Sequence, residues 1–378
     1  MTDTLPMSGH VAPGFEPVRE AFERNWRDFD ELGAAFTVLR GEETLLDLQG
    51  GWTDRKKTTE WQDDTLVAVF STGKAITAVV MAWLVDQGLV DYDAPIADYW
   101  PEFAAHGKGR ITVGDALSHQ TGLPGLTEEM ESSEWFDRDA IEARLAAQAP
   151  MWDLREGGSG YQPIIFGFLA DAVARRTDGR TIGGLLREVI AGPRGLDFHV
   201  GTPARLHDRV AAHVLPPRAP DLGPMNAFKQ AAFMKPWSTP GRKGAEMWRE
   251  AEFPAANGHG TSRAIATLMG VFASGGRLQN ESLVSSRVID TAMTPRVSGP
   301  DRVLPFDLSL AAGVMANRES GFYGPEVQAV GHYGFGGSCG FADPVRGLSG
   351  SYVMNRQLPT LAGDPRAVRL IDAVYDCL

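Results

Sequence analysis

The stretch from Ala75 to Gln87 constrains this 378-residue chain more than any other. It is almost wholly apolar, closes on Gly88, and has no polar side to turn toward water. A helix of that kind is stable only where protein surrounds it. The rest of the fold must therefore be wrapped around it.

The flanking patterns show what can do the wrapping. Phe15 to Phe29 reads as a helix with Val18, Phe22, Trp26 and Phe29 recurring along one side. Ala34–Leu39 and Thr44–Leu48 read as a hairpin around Gly41. Near the other end, Val330–Phe341 and Leu348–Asn355 read as strands across the turn-rich 343–347, and Pro365–Cys377 as a last helix. Helical patterns fill the middle at Thr112–Ser118, Arg138–Ala147, Ile164–Arg176 and Ile182–Ile190, whereas Pro216–Lys243 reads as a long irregular loop. Strands at both ends with helices between predict an α/β (α+β) fold, an antiparallel sheet flanked by helices. The expected division is a sheet domain from residues 1–82 and 250–378 and a mainly helical insertion over 83–249, with the site in the cleft between them.

Composition removes several classes of function. With 43% hydrophobic and 22% charged residues the chain is ordinary globular material. Its net charge is −12 and its longest basic run is Arg55-Lys56-Lys57, so nucleic acid is not an expected partner. No apolar run approaches the roughly 18 residues of a membrane span. The opening MTDTLPMSGHVAPG has neither a cationic start nor an apolar stretch, and the chain reads as cytoplasmic. Cys339 and Cys377 cannot make a disulfide framework or a four-thiolate zinc site. The eight histidines are scattered, and no phosphate-binding loop or metal-binding motif occurs, so no metal or organic cofactor is expected.

Two serines compete as nucleophile. Ser71 stands in Phe70-Ser71-Thr72-Gly73-Lys74, at the mouth of the apolar helix. If that helix begins here, Ser71 and Lys74 share a face, and the hydroxyl sits at the positive end of the helix dipole. A lysine beside so hydrophobic a helix loses its proton more easily, which suits a base. Chance alone supplies on the order of one Ser-x-x-Lys in a chain of this size, so the placement carries the argument. Ser338 stands in Gly336-Gly337-Ser338-Cys339-Gly340, a Gly-x-Ser-x-Gly. That pattern marks a nucleophile where a strand turns into a helix with acid and histidine partners downstream. Here another strand follows and no histidine lies beyond His332, so Ser338 is the weaker candidate.

Ser71-Thr72-Gly73-Lys74 resembles the first motif of serine β-lactamases and penicillin-binding proteins. The resemblance continues in order through Leu117–Pro124, Gly160-Tyr161-Gln162-Pro163, Ala256–Thr261 and Gly331–Ser338, and is nearest to the family VIII carboxylesterases on the class C β-lactamase fold. It implies Ser71 as nucleophile, Lys74 and Tyr161 as proton carriers, and the backbone N–H groups of Ser71 and Phe335 as the oxyanion hole. A free phenol titrates near about 10, so Tyr161 serves only as a phenolate favoured by nearby cations or as a relay. It implies also that His332-Tyr333-Gly334 stands where β-lactamases carry Lys-Thr-Gly, with His332 and Gly334 facing substrate.

Departures from the β-lactamase pattern narrow the substrate. His332 in place of lysine removes a permanent charge from the position that would meet a substrate carboxylate. Pro163 in place of asparagine removes an amide, and Leu154–Gly158 differs from the expected Pro-Gly. The first two favour uncharged esters. Any β-lactam turnover is expected to improve as pH falls through the titration of His332, near about 6.5 when unperturbed. Trp152, Phe228, Phe233, Met234 and Trp237 either line an acyl or alcohol pocket or simply pack. The expectation is a serine carboxylesterase acting on small-molecule short- to medium-chain esters. Rivals on the same fold are a weak β-lactamase, a D-amino-acid peptidase and an acyltransferase; a catalytically silent binding protein is the rival of another class.

Overall fold

A computed structural model describes residues 5–240, 245–318 and 320–378. Its frame is a nine-stranded sheet built wholly from the two ends of the chain. The strands are β1 (Met7–Val11), β2 (Gly33–Arg40), β3 (Glu43–Gly51), β4 (Val297–Pro300), β5 (Asp307–Leu310), β6 (Met315–Ala316), β7 (Val330–Tyr333), β8 (Cys339–Asp343) and β9 (Leu348–Met354). They lie in the order β1-β3-β2-β9-β8-β7-β6-β5-β4, every pair antiparallel. The two ends of the chain join where β9 runs against β2, from Leu348 opposite Arg40 to Met354 opposite Ala34.

The hairpin around Gly41 and both terminal helices stand where the apolar spacing puts them, as α1 (Glu16–Phe29) and a last helix at Pro365–Asp376. Those two helices pack together. The last one is anchored by Arg366, whose guanidinium is wholly buried and reaches Glu31 at 3.1 Å, Asp364 at 3.0 Å and the Gly336 carbonyl at 2.8 Å. A buried cation is tolerable only when paired in this way.

The apolar helix is α2 (Gly73–Asp86), and all its residues through Ala82 are buried. It packs against Ile165–Thr177, Ser262–Ala273 and β7. The Ser262–Ala273 helix in turn covers β2, β8 and β9. The surrounding layers demanded by Ala75–Gln87 are therefore helices on one side and sheet on the other.

Three readings need correction. Val330–Phe341 is not one strand: it breaks at 334–338 into β7 and β8, because Gly336 and Gly337 take φ values of +89° and +134° that a continuing strand does not allow. Pro216–Lys243 is not all irregular: Asn226 caps a helical turn at Ala227–Lys229 that runs on to Met234, burying Ala231 and Ala232; residues 241–243 lie outside the described residues. Finally, sequence reading passed over β1, β4, β5 and β6; β1, β4 and β6 carry no clear apolar alternation, and β5 is only four residues long.

Candidate active site

Ser71 lies on a tight connection. Val67–Ala68 pairs with His259–Gly260, a single 3₁₀ turn covers Phe70–Thr72, and α2 begins at once. Phe70 has φ +48°, a left-handed conformation costing about 1 kcal/mol or more for such a residue. The surroundings hold it there: Val69 N–H donates to Gly258 O at 2.8 Å, and the Phe70 ring meets His213 and Phe335 edge-on at 5.2 and 5.9 Å. Ser71 is left half-buried at the start of the helix.

One turn on, Lys74 is completely buried. Its Nζ lies 3.0 Å from Ser71 Oγ, 2.9 Å from the Pro163 carbonyl oxygen and 3.0 Å from that of Ala255. Burial drives its pKa well below the ordinary lysine value. Pro163, which brings no side-chain amide, contributes its backbone carbonyl instead. Neither that carbonyl nor the one at Ala255 is a role that residue identity announces.

Tyr161 comes from a loop fixed on two sides. Asp301 accepts from Tyr161 N–H at 3.1 Å and from the Ser159 hydroxyl at 2.6 Å. His119 brackets the tyrosine: its carbonyl accepts from Gly160 N–H at 2.9 Å and its Nδ1 from Gln162 N–H at 3.1 Å. The Tyr161 ring packs at 4.5 Å against the His119 ring, tilted by 42°, with Lys74 Nζ 4.9 Å from its centroid. Burial raises the phenol pKa, the Ser71 hydroxyl as hydrogen-bond partner works the other way, and Asp301 raises it further. The tyrosine is therefore a neutral phenol, and a phenolate is disfavoured. Asp301 is 140 positions away in the chain, and no local signal marks it.

The 334–338 loop packs directly on the Ser71 turn. Ser338 donates to Val69 O at 2.7 Å and sits 3.0 Å from Thr72 Oγ1, fully buried. A side chain at Gly334 would put its Cβ 2.1 Å from Val69 O, so only glycine allows this approach. Neither Ser71 N–H nor Phe335 N–H donates to a backbone carbonyl among the described residues.

The other expected substrate contacts divide. Phe233 and Phe335 line a cavity of about 580 Å³ that reaches Ser71 and Tyr161; Phe70, Val210, Leu215, Leu304 and Leu361 make much of its apolar wall. Trp152 and Trp237 are not in that wall. Trp152 packs edge-on against Phe228 at 5.4 Å, and Trp237 donates its indole N–H to Leu126 O at 3.0 Å. His332 does not reach the cavity either. It is 1% exposed, its ring centroid 6.1 Å from that of Tyr161, with Nδ1 against its neighbour's carbonyl. Burial, the largest cause, lowers its pKa to about 3, so the expected titration near neutrality does not occur. In the β7 strand the next side chain, Tyr333, is the one that reaches the cavity.

No group of three or more His, Cys, Asp or Glu among the described residues is arranged to hold a metal ion, and no described helix is long and apolar enough to cross a membrane.

A serine, a buried amine and a phenol meeting at the mouth of one buried helix, on an antiparallel sheet flanked by helices, define a β-lactamase-like serine hydrolase. Residues 18–374 match the Beta-lactamase family, and the chain belongs to it. It is 34% identical over 375 residues to the Esterase/beta-lactamase LipL of Mycobacterium tuberculosis, covering 93% of this chain and 84% of that one. A penicillin-binding protein homologue from Caulobacter crescentus superposes with a TM-score of 0.96 at 49% identity, over 98% of this chain and all of that one (100%). A family VIII carboxylesterase superposes with a TM-score of 0.92 at 38% identity, over 98% and 100% of the two chains.

Proposed function

We propose that the protein is a carboxylesterase that hydrolyses short- to medium-chain esters through an acyl-enzyme on Ser71. The observation carrying this reading is the environment of Lys74 Nζ. A neutral amine has two hydrogens and one lone pair. In the uncharged form the Pro163 and Ala255 carbonyls, which can only accept, take the two hydrogens, and the lone pair is left for the Ser71 O–H 3.0 Å away. That is the arrangement a general base needs, and burial favours the uncharged amine.

The steps follow from it. Ser71 Oγ bonds to the ester carbonyl carbon as its proton passes to Lys74. The carbonyl oxygen becomes an oxyanion, held by the N–H groups of Ser71 and Phe335. The bond to the alcohol oxygen then breaks, and the proton on Lys74 goes to that alkoxide, with the neutral Tyr161 hydroxyl beside the path as relay. Water attacks the acyl-enzyme by the same route in reverse, giving up a proton to Lys74 that returns to Ser71 Oγ. The resemblance of the chain to LipL and to a family VIII carboxylesterase supports the ester as substrate, and the apolar cavity supports an aliphatic acyl or alcohol part.

The test is a panel of chromogenic esters from acetate to decanoate beside a chromogenic cephalosporin, with fluorophosphonate labelling and mass mapping. The expected result is ester turnover far above cephalosporin turnover, label on Ser71, and complete loss of both in Ser71→Ala. Ser338→Ala is expected to keep most of its activity. Activity that survives Ser71→Ala and is lost in Ser338→Ala would overturn the reading.

A further inference from the structure

The cavity wall contains one formally charged side chain among the described residues, Arg249. It ends a short helix, Ala245–Glu250, and is half-buried. No carboxylate among the described residues stands within 4.0 Å of its guanidinium. The comparably buried Arg209, Arg296, Arg302, Arg356 and Arg369 each hold an Asp or Glu. Glu246 and Glu250, on the same helix as Arg249, are exposed and form no pair with it.

A second polar group lies beside it. His259 lines the same wall, is 2% exposed, and its Nδ1 has no hydrogen-bond partner. Its pKa is lowered to about 3, mainly by burial, with the charge of Arg249 adding to the effect. A guanidinium facing an apolar wall without an anion gains most when an anion arrives, because the pair then forms away from bulk water.

We propose that Arg249, with His259 beside it, is an anion subsite of this cavity, and that the enzyme takes esters bearing a carboxylate remote from the scissile bond. Monoesters of aliphatic dicarboxylic acids are the simplest such substrates, cleaved by water to the dicarboxylate and the alcohol. The inference rests on the esterase reading and narrows it. Arg249 supplies a permanent charge from a wall that His332 does not reach, so it favours anionic esters without recreating the β-lactamase arrangement.

The experiment compares wild type, Arg249→Met and Arg249→Lys on monomethyl adipate and suberate against methyl hexanoate and octanoate, followed by pH-stat. The expected result in Arg249→Met is a fall of at least about tenfold in the kcat/KM ratio of each half-ester to its neutral counterpart, the scale of one charge-assisted contact. Arg249→Lys should recover part of it, and added salt should lower the wild-type ratio. Equal ratios in all three proteins would overturn the subsite. Calorimetric titration of monomethyl suberate into Ser71→Ala, with and without Arg249→Met, separates this inference from the one beneath it. An affinity lost with Arg249 supports the subsite even where no ester is hydrolysed, and absent turnover then counts against the esterase reading alone. Equal affinities would overturn the subsite whatever the turnover.

Discussion

In the proposed reaction three side chains divide the chemistry at Ser71, and burial shifts the pKa values of two of them in opposite senses. It holds Lys74 toward the neutral amine and Tyr161 toward the neutral phenol. Lys74→Ala and Tyr161→Phe are each expected to lower kcat by at least about 100-fold, the scale of lost general acid–base catalysis. The double variant should be little worse than either, since groups sharing one proton path are not additive; multiplicative losses in steady-state kinetics would separate their roles. A base acts when deprotonated, so kcat/KM should rise with pH through an ionisation well below the ordinary lysine value, and that limb should disappear in Lys74→Ala. His332 contributes nothing to such a profile. With its pKa lowered to about 3, it is already neutral throughout the working range. The kcat/KM ratio of a cephalosporin to nitrophenyl butyrate should therefore stay constant between about pH 6 and 8. A ratio that climbs toward pH 6 would mean that His332 titrates in contact with substrate.

At the level of elements, the 334–338 loop matters as much as the strand it interrupts. It brings Phe335 N–H to the Ser71 turn, and three fastenings hold it: Ser338 to Val69 and Thr72, Gln357 to the Phe335 carbonyl at 3.1 Å, and Arg366 to the Gly336 carbonyl at 2.8 Å. Gly334→Ala forces a Cβ into the space occupied by Val69 O and Ser338 Oγ, so the loop must back away. The expected outcome is a fall in kcat of about 100-fold, the scale of losing one oxyanion donor, with KM changed far less. A variant with normal kcat would show that the loop does not present the oxyanion donor. Sequence reading saw the glycines and the serine, yet ran the strand through them. Periodicity of apolar residues cannot distinguish a continuous strand from a hairpin whose two arms are both buried.

For the molecule as a whole, buried neutral bases make stability depend on pH. His259 and His332 are lowered to about 3, His119 well below its ordinary value, and Lys74 likewise, all mainly by burial. For each, the unfolded chain binds a proton that the folded protein refuses, so stability falls as pH falls. The histidines act below about pH 6.5, each by up to ~1.4 kcal/mol per pH unit, and Lys74 acts through the alkaline range below its unfolded value. Asp171 opposes them: raised to about 6 by burial, it adds stability as pH falls below that value. Glu31, also raised by burial, acts in the same sense as Asp171. Urea midpoints should therefore drop as pH falls from about 8 to 6.5, where Lys74 acts, and keep dropping below, where three histidines outnumber the two raised carboxyls. A midpoint that rises as pH falls below about 6.5 would contradict the neutral burial of the three histidines.

Much of this protein is legible in one dimension because its constraints are local. The apolar run after Ser71 demanded burial, and Ser71 and Lys74 follow from helix spacing at its start. Tyr161 and the 334–338 segment were visible only by resemblance, since nothing nearby in the chain gives a lone tyrosine a role. What the tertiary structure decided is protonation and access, which depend on neighbours from distant parts of the chain. The carbonyls of Pro163 and Ala255 aim the Lys74 lone pair, Asp301 holds Tyr161, and enclosure behind Tyr161 removes the charge that His332 carries in water. Residue identity states which groups can ionise, but only the packed interior sets the dielectric and the partners that determine whether they do.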